Sequence, residues 1–146
     1  MWQKLKFTIL GNPAGKGRPR FTTRTGHAYT PKGTVMYENL VKTEYSIQCK
    51  DFMFDDDAML DMRIAAFYEI PKSTSKKKRQ MMLDGMLRPT KKSDMDNVVK
   101  IIADSLNKTA YRDDTQIVEC KCSKYYAERP RVEVTIVQIG PETQKE

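Results

Sequence analysis

Four aspartates in one stretch of the chain have a spacing that suits a hard metal ion. The stretch, residues 91–116, reads KKSDMDNVVKIIADSLNKTAYRDDTQ. Asp94 and Asp96 stand two residues apart where an apolar pattern of helical period begins, so in an extended lead-in both carboxylates point the same way. Asp113 and Asp114 follow that helix at a turn that enters a strand. If the strand returns beside the start of the helix, one of this second pair completes a cluster.

Three carboxylates at one point repel each other unless a cation holds them together. Oxygen ligands suit Mg²⁺, with Mn²⁺ as a substitute, and Mg²⁺ commonly takes a substrate phosphate as a further ligand. The chemistry that this pattern indicates is metal-assisted hydrolysis of a phosphodiester. Lys100 lies one helical turn after Asp96, where an ammonium could stabilise charge on the reacting phosphoryl group or orient a water.

Each of these residues also has a structural interpretation. An aspartate at the start of a helix is more often an N-cap than a metal ligand, and an Asp-Asp pair after a helix is more often a turn signal. A single lysine such as Lys100 usually lies on a solvated helix face. Asp104 follows Lys100 by four residues, and we interpret it as a structural partner of that lysine.

The elements that must position these residues follow from the hydrophobic pattern, which predicts four strands and three helices. The predicted elements are, in chain order, a strand at Lys4–Leu10, a helix at Thr34–Lys50, a strand at Met59–Ile70, a short helix at Ser73–Leu83, a helix that starts at Asp94 or Asp96, and strands at Gln116–Tyr126 and Arg131–Ile139. This order, β-α-β-α-α-β-β, predicts an α+β fold with a mixed sheet and packed helices. The last two strands are expected to form a hairpin.

No linker or repeat divides the chain, so we expect one domain over residues 1–146, with 140–146 as a loose tail and 15–31 as a loop. The single histidine, His27, excludes catalytic triads and zinc sites that need several histidines. Three cysteines without a CxxC pair indicate a reduced protein. No apolar run approaches the roughly 20 residues of a membrane span, and no signal peptide is visible, so we expect a cytoplasmic protein without a membrane partner.

The charge of the chain favours a polyanionic partner. Lys plus Arg total 26 and Asp plus Glu total 19, for a formal net charge of +7, and the excess falls in residues 1–42 and 72–92. Phosphates neutralised by such segments release counterions, although a basic surface can also serve solubility alone. The residues that we expect to contact DNA phosphates are Lys16, Arg18, Arg20, Lys32, Lys91 and Lys92.

Two blocks of this sequence resemble the RusA family of phage and bacterial Holliday-junction resolvases. The first is the acidic block, which reads DMDN at 94–97, then Lys100, DSLN at 104–107 and YRDDTQI at 111–117. The second is a basic loop after the first strand, GNPAGKGRPR at 11–20, followed by YTP at 29–31. The resemblance runs from about Phe7 to Val137.

The resemblance implies an Mg²⁺-dependent, structure-selective endonuclease that is homodimeric and cuts four-way DNA junctions with paired nicks during recombination and repair. Position by position, it makes Asp94, Asp96 and Asp114 the essential acids and metal ligands. Lys100 matches the functional lysine of the family, and Asp113 is a possible outer residue behind the ligands. It implies no organic cofactor, and it places the protein in a bacterial cell, encoded by a phage or a prophage.

Dimerisation also follows from the symmetry of the substrate. A four-way junction has two-fold symmetric strands, and a dimer with the same symmetry presents two identical sites to them. Two other functions remain open at this point. One is a DNA-binding module without catalysis, in which the aspartates only cap and turn the chain. The other is a metal nuclease that acts on other branched DNA.

Overall fold

A computed structural model of the chain describes residues 3–17, 20–22, 26–29, 31–91 and 93–141. The strands are, in chain order, β1 (Lys4–Leu10), β2 (Arg20–Phe21), β3 (Ala28–Tyr29), β4 (Met59–Glu69), β5 (Ile117–Ala127) and β6 (Arg131–Gly140). The helices are α1 (Lys32–Cys49), α2 (Lys76–Leu83) and α3 (Met95–Ser105). A short 3-10 helix, Asp114–Gln116, leads into β5. The predicted α+β class, the mixed sheet and the order of the main elements are therefore confirmed.

Four strands form one sheet in the order β1-β6-β4-β5. The pairs β1–β6 and β6–β4 are antiparallel, whereas β4 and β5 are parallel. Parallel neighbours need a crossover connection, and here α2 and α3 provide it. The two-residue strands β2 and β3 pair with each other inside the segment that was predicted to be a loop.

The predicted hairpin between the last two strands is wrong, because β4 lies between β5 and β6. The crossover helices bring β5 to one edge of β4, and β6 occupies the other edge. The connection at residues 128–130 therefore spans two strand spacings, about 10 Å, which its length allows. β6 also extends to Gly140, so the predicted tail begins one residue later, and residues 142–146 lie outside the described part of the chain.

Helix α1 packs on β1 and on α3 over the core, whereas α2 lies against β5 and has no buried residue. Alternate residues of β4 point into the core, among them Leu60, Met62 and Ile64, and all three are buried. The rings of Phe7 in β1 and Tyr45 in α1 meet edge to face with their centroids 5.3 Å apart, which is a favourable aromatic geometry. Within the described ranges, none of the helices is long and apolar enough to cross a membrane.

Candidate functional site

The start of α3 presents two exposed carboxylates. Asp94 is the N-cap residue of α3 in an extended conformation, but its side chain makes no capping hydrogen bond. Asp94 is therefore an N-cap by position, as the start of the helical pattern indicates, but its carboxylate does not cap the helix and is free for another role. Asp96 lies in the first helical turn. The segment just before α3 is fixed by Lys124 of β5, whose ammonium donates a hydrogen bond to the carbonyl of Ser93 at 3.1 Å.

The two aspartates before β5 have different surroundings. Asp113 caps the 3-10 helix, and its carboxylate accepts a hydrogen bond from the backbone N–H of Thr115 at 3.0 Å. This bond lowers the pKa of Asp113, as does its proximity to Arg112. The Asp113 carboxylate thus stabilises the turn, which is the structural role that an Asp-Asp pair after a helix indicates.

Gln116 holds that turn against the rest of the fold. Its carbonyl oxygen accepts the backbone N–H groups of Arg112 and Asp113 at 3.1 and 3.3 Å. Its amide nitrogen donates to the carbonyl oxygens of Asp55 and Ala58, at the turn before β4, at 2.9 and 3.2 Å. The position of Asp114, which lies between Asp113 and Gln116, is therefore set by hydrogen bonds on both sides of the turn.

Asp114 is half-buried and faces another acid. Its carboxyl group lies close enough to the side chains of Asp104 and Asn107 for both to shift its pKa. Burial raises the pKa of Asp114, and the nearby Asp104 raises it further, whereas a hydrogen bond from Asn107 acts in the opposite direction. Two neighbouring carboxyl groups at a half-buried position are costly to ionise together, and a cation between them would remove that cost.

Lys16 lies on the other side of Asp104. Its ammonium nitrogen is 3.3 Å from a carboxylate oxygen of Asp104 and 3.0 Å from one of Glu38 in α1. Burial lowers the pKa of Lys16, but the hydrogen bonds to the two carboxylates outweigh this effect and the pKa is raised. Asp104 does have a lysine partner, but the interpretation that this partner is Lys100 is wrong.

The loop that carries Lys16 packs tightly between two helices. The backbone N–H of Lys16 donates to the carbonyl of Asn97 in α3 at 2.9 Å. A Cβ atom at Gly15 would lie 2.9 Å from Cβ of Ser93, and one at Gly17 would lie 2.7 Å from the hydroxyl oxygen of Thr34 in α1. Only glycine permits both approaches, so the GKG sequence positions Lys16 at the acidic residues.

Asn107 and Tyr111 complete the surroundings of Asp114. The side-chain carbonyl oxygen of Asn107 is buried and has no hydrogen-bond partner among the described residues. The Tyr111 hydroxyl donates to the carbonyl of Ala103 at 2.6 Å. Burial and the neighbouring acids raise the pKa of this phenol, so Tyr111 stays protonated and acts as an anchor for the loop after α3.

The donor set beside Asp114 fits a hard cation. Asp104, Asp114 and the unpartnered oxygen of Asn107 are oxygen ligands of the kind that Mg²⁺ prefers. Asp96 precedes Asp104 by eight residues in α3, a rise of about 12 Å. Across the described residues, no group of three or more His, Cys, Asp or Glu side chains is arranged to hold a metal ion. The carboxylates thus form two sets, one at each end of α3.

Lys100 lies between these two sets. It occupies α3 one turn after Asp96 and one turn before Asp104, and its side chain is exposed. In the part of the chain that the structure describes, its ammonium forms no ion pair or side-chain hydrogen bond. An unpaired ammonium between two groups of carboxylates is free to contact an anionic substrate.

The basic residues expected to contact DNA differ in exposure and in the partners of their side chains. Lys32 and Lys91 are exposed, as phosphate contacts require. Lys16 instead contacts two carboxylates, so any phosphate contact would share its ammonium with them. Arg18 and Lys92 lie outside the described residues. Arg20 begins β2, and its side chain lies outside what the structure describes.

Sequence reasoning did not place Glu38 or Asn107 in this site, and it did not identify the role of Asp104. A signal existed for two of them, since the DSLN block at 104–107 follows Asp96 on the same helix. Asp104 continues the row of Asp96 and Lys100 at four-residue intervals, which places all three along one side of α3. Glu38 had no local signal, because it reaches the site from a different helix.

Two comparisons with known proteins found matches that cover most of the chain. A family model described as Endodeoxyribonuclease RusA matches residues 11–137. The chain is also 38% identical over 140 residues to a Bacillus subtilis (strain 168) protein named Uncharacterized protein YqaN, with 93% of this chain and 97% of that protein covered. The residues matched by the family model include both sets of carboxylates, the one at the start of α3 and the one at its end.

Proposed function

The chain belongs to the RusA endodeoxyribonuclease family, and from that premise we propose that it resolves four-way DNA junctions by paired, Mg²⁺-dependent nicks. The observation that carries the chemistry is the proximity of Asp104 to the half-buried carboxyl group of Asp114. Carboxylates held together in this way favour binding of a divalent cation. The net charge of +7 supports a nucleic-acid substrate.

We propose that Asp94, Asp96 and Asp114 are metal ligands, as the family resemblance implies, and that within one chain they bind divalent ions in two sets. Asp94 and Asp96 form the set at the start of α3, and Asp114 belongs with Asp104 to the set at its end. Mg²⁺ bound there supplies Lewis-acid polarisation of a phosphoryl oxygen and neutralises charge on the reacting phosphate. Mn²⁺ is expected to substitute for it, since it accepts the same oxygen ligands. Asp113 contributes from outside the ligand set by capping the turn that presents Asp114.

The remaining polar residues are proposed to bind phosphates of the DNA or to hold other residues of the site in position. Lys100 places an unpaired ammonium where it can contact the phosphoryl oxygens, and its charge offsets the negative charge that develops there. Lys16 keeps Asp104 at its position beside Asp114 through the ion pair at 3.3 Å. Exposed lysines such as Lys32 and Lys91, together with Arg18, Arg20 and Lys92, are proposed to bind phosphates of the DNA arms.

Two nicks at symmetric positions require two active sites. We therefore propose a homodimer whose two-fold axis coincides with that of the junction. We propose, as the family resemblance implies, that the enzyme acts in DNA recombination and repair inside a bacterial cell and is of phage or prophage origin. It needs neither a membrane partner nor an organic cofactor.

The decisive experiment is a cleavage assay on a synthetic four-way junction and on the linear duplex of the same sequence. Wild type, Asp96→Asn and Asp57→Asn are compared with Mg²⁺ and with EDTA. Asp57 is an exposed aspartate in the turn before β4, so its variant makes the same chemical change away from the site. We expect symmetric, Mg²⁺-dependent nicks on the junction with wild type and Asp57→Asn only.

Three results would overturn the proposal. Tight junction binding without cleavage in either Mg²⁺ or Mn²⁺ would indicate a binding module, and the aspartates would then be caps and turns. Equal cleavage of flaps or forks in competition with the junction would indicate a nuclease for other branched DNA. Junction binding that does not weaken as salt rises would contradict recognition of phosphates.

A further inference from the structure

Helix α2 begins with four consecutive cations. Its first half reads KKKR at 76–79, and residues 71–83 contain no acid. The side chains of Lys76, Lys77 and Lys78 are exposed, and within the described ranges their ammonium groups form no ion pair. Like charges at this spacing repel one another, and cations at the start of a helix oppose its dipole. The three lysines therefore form an exposed patch of unbalanced positive charge.

The contacts that hold α2 in place do not involve these ammonium groups. No residue of α2 is buried, and an eight-residue helix is marginal in water by itself. Ser75 caps it by accepting the backbone N–H of Lys78 at 3.3 Å. Arg79 pairs with Glu128, just after β5, at 3.2 Å. At 100° per residue, the Lys77 side chain projects about 160° away from that of Arg79, so the ion pair turns Lys77 toward solvent.

The segment after α2 runs along β5 to the start of α3. Arg88 donates a hydrogen bond from Nε to the carbonyl of Lys124 at 2.7 Å. The Lys124 ammonium in turn donates to the carbonyl of Ser93, directly before α3. Lys124 and Glu128 stand four residues apart, which is about 13 Å along a strand. The lysines of α2, Arg88 and the carboxylates at the start of α3 therefore follow one another beside β5.

Arg88 is held in a position that suits binding of a phosphate. Its guanidinium carbon lies 4.3 Å from the centroid of the Tyr125 ring, and this stacking and the bond to Lys124 fix the plane of the group. No carboxylate among the described residues pairs with Arg88, and residues 85–93 contain no acid. A guanidinium presents its donors as a planar fork that matches phosphate oxygens. A fork that is fixed in advance loses little conformational entropy when it binds.

The extent of this surface suits the backbone of a DNA duplex. Each strand of a duplex places one phosphate along every 3.4 Å or so of its axis, so the stretch of about 13 Å beside β5 corresponds to about four base pairs. Phosphates beside the lysines would remove the repulsion between them and release counterions. Ammonium groups on phosphates position DNA without reading its bases. The chemistry of the patch therefore fits a DNA arm of any sequence.

We infer that the three lysines of α2, together with Arg88, bind the phosphate backbone of the DNA arm that extends from the start of α3. This inference rests on the proposed function, since it takes the carboxylates at the start of α3 as the place where the cleaved phosphate binds. It gives a function to a basic segment that lies outside the acidic block and the basic loop of the candidate site.

The first test measures DNA affinity against salt concentration in EDTA, so that no cleavage occurs. Wild type is compared with the triple variant Lys76→Gln, Lys77→Gln, Lys78→Gln on a four-way junction and on a linear duplex. The triple variant should bind both at least about 10-fold more weakly at low salt, and the slope of log K against log salt should decrease by about 2.7. Arg88→Gln should decrease that slope by about 0.9.

A second triple variant controls for net charge. It replaces three other exposed lysines by glutamine and so loses the same charge at positions away from α2, namely Lys4, Lys42 and Lys50. We expect it to keep the wild-type slope. Thermal unfolding tests a purely structural role, because the α2 variant should be at least as stable as wild type once the repulsion and the unfavourable dipole interaction are removed.

The third test locates the DNA arm. An iron chelate that generates hydroxyl radicals is attached to Lys77→Cys in a Cys120→Ser, Cys122→Ser background, in which the remaining thiol, Cys49, is buried. The chelate should cut one arm of a bound junction within about ten base pairs of the branch point, because the patch covers only about four base pairs. The same chelate on Lys42→Cys is the control, and it should cut the DNA much less.

Four outcomes would overturn the inference. They are an α2 triple variant with the wild-type slope, an equal decrease of the slope in the control triple variant, a lower Tm for the α2 variant than for wild type, and absence of cuts from position 77. None of these measurements uses cleavage by the protein. A wild type that binds junctions with the expected slopes but does not nick them in Mg²⁺ would contradict the nuclease proposal and leave DNA binding by α2 supported.

Discussion

Asp114 lies near Asp104 at the C-terminal end of α3, close enough for Asp104 to raise its pKa, and Lys16 forms an ion pair with Asp104 at 3.3 Å. The ammonium neutralises one of the two acids and leaves the other facing it without a cation of its own. Burial and this acidic neighbour raise the pKa of Asp114. The site is therefore arranged with an unbalanced negative charge, which a divalent cation would balance.

The first prediction concerns the stability cost of that charge. Asp114→Asn keeps the shape of the side chain and removes the repulsion with Asp104, so the metal-free variant should be more stable than wild type by about 1 kcal/mol. Thermal unfolding in EDTA measures this change. Added Mg²⁺ should raise the Tm of wild type and have little effect on the variant. A variant less stable than wild type in EDTA would contradict the repulsive contact.

The second prediction separates catalysis from binding at the start of α3. Asp96→Asn removes a charged ligand without changing the shape of the side chain, and the cleavage rate should fall by about 100-fold or more. Junction affinity should persist or increase, because a negative charge near the phosphates is lost. Single-turnover cleavage and gel-shift titration measure the two quantities. Parallel loss of both would show that the change disrupts the fold around α3.

The third prediction assigns the role of Lys100. Lys100→Ala should lower the single-turnover rate by about 10- to 100-fold while changing junction affinity by much less, because the ammonium stabilises charge that develops during the reaction. Lys108→Ala is a suitable control, since Lys108 is an exposed lysine in the turn after α3. Equal loss of rate and affinity in Lys100→Ala would make Lys100 a simple phosphate contact.

The fourth prediction concerns the ion pairs of Lys16. Lys16→Met retains the aliphatic stem but leaves Glu38 and Asp104 without their cation, and it should cost about 2 kcal/mol in urea unfolding. Lys4→Met, at an exposed position in β1, should be close to neutral. A loss of less than a few tenths of a kcal/mol in Lys16→Met would show that the ion pairs do not stabilise the fold.

The same lysine predicts a dependence of stability on alkaline pH. The pKa of Lys16 is raised in the folded state, so its contribution is fully present below the pKa of an unfolded lysine. The contribution is lost as the pH rises through the higher folded value. Wild type should therefore lose more stability than Lys16→Met between pH 9 and about 11. Urea unfolding at several pH values measures the difference between the two proteins.

The elements of the fold could be predicted from the sequence because their signals are local. The alternation of Leu5, Phe7 and Ile9 predicts β1 with the bounds that the structure has. The apolar period after Asp94 predicts α3, which begins at Met95. Side-chain direction within a strand or a helix depends on neighbours a few residues away, so these predictions needed no tertiary information.

The order of the strands in the sheet needed tertiary information. Proximity along the chain favours pairing of β5 with β6, but the crossover through α2 and α3 places β5 on the free edge of β4. Which edge a strand joins depends on how the helices pack on the sheet, and no pattern within β5 or β6 encodes it.

The sequence by itself determined which residue types carry the chemistry and on which helix and turn they stand. Only the tertiary structure decided their partners. It joined Lys16 to Asp104, although Lys100 on the same helix was the nearer lysine in sequence, and it separated the roles of Asp113 and Asp114. The physical reason is that an ion pair or a hydrogen bond depends on distances of a few ångströms between atoms, and packing of distant segments sets those distances.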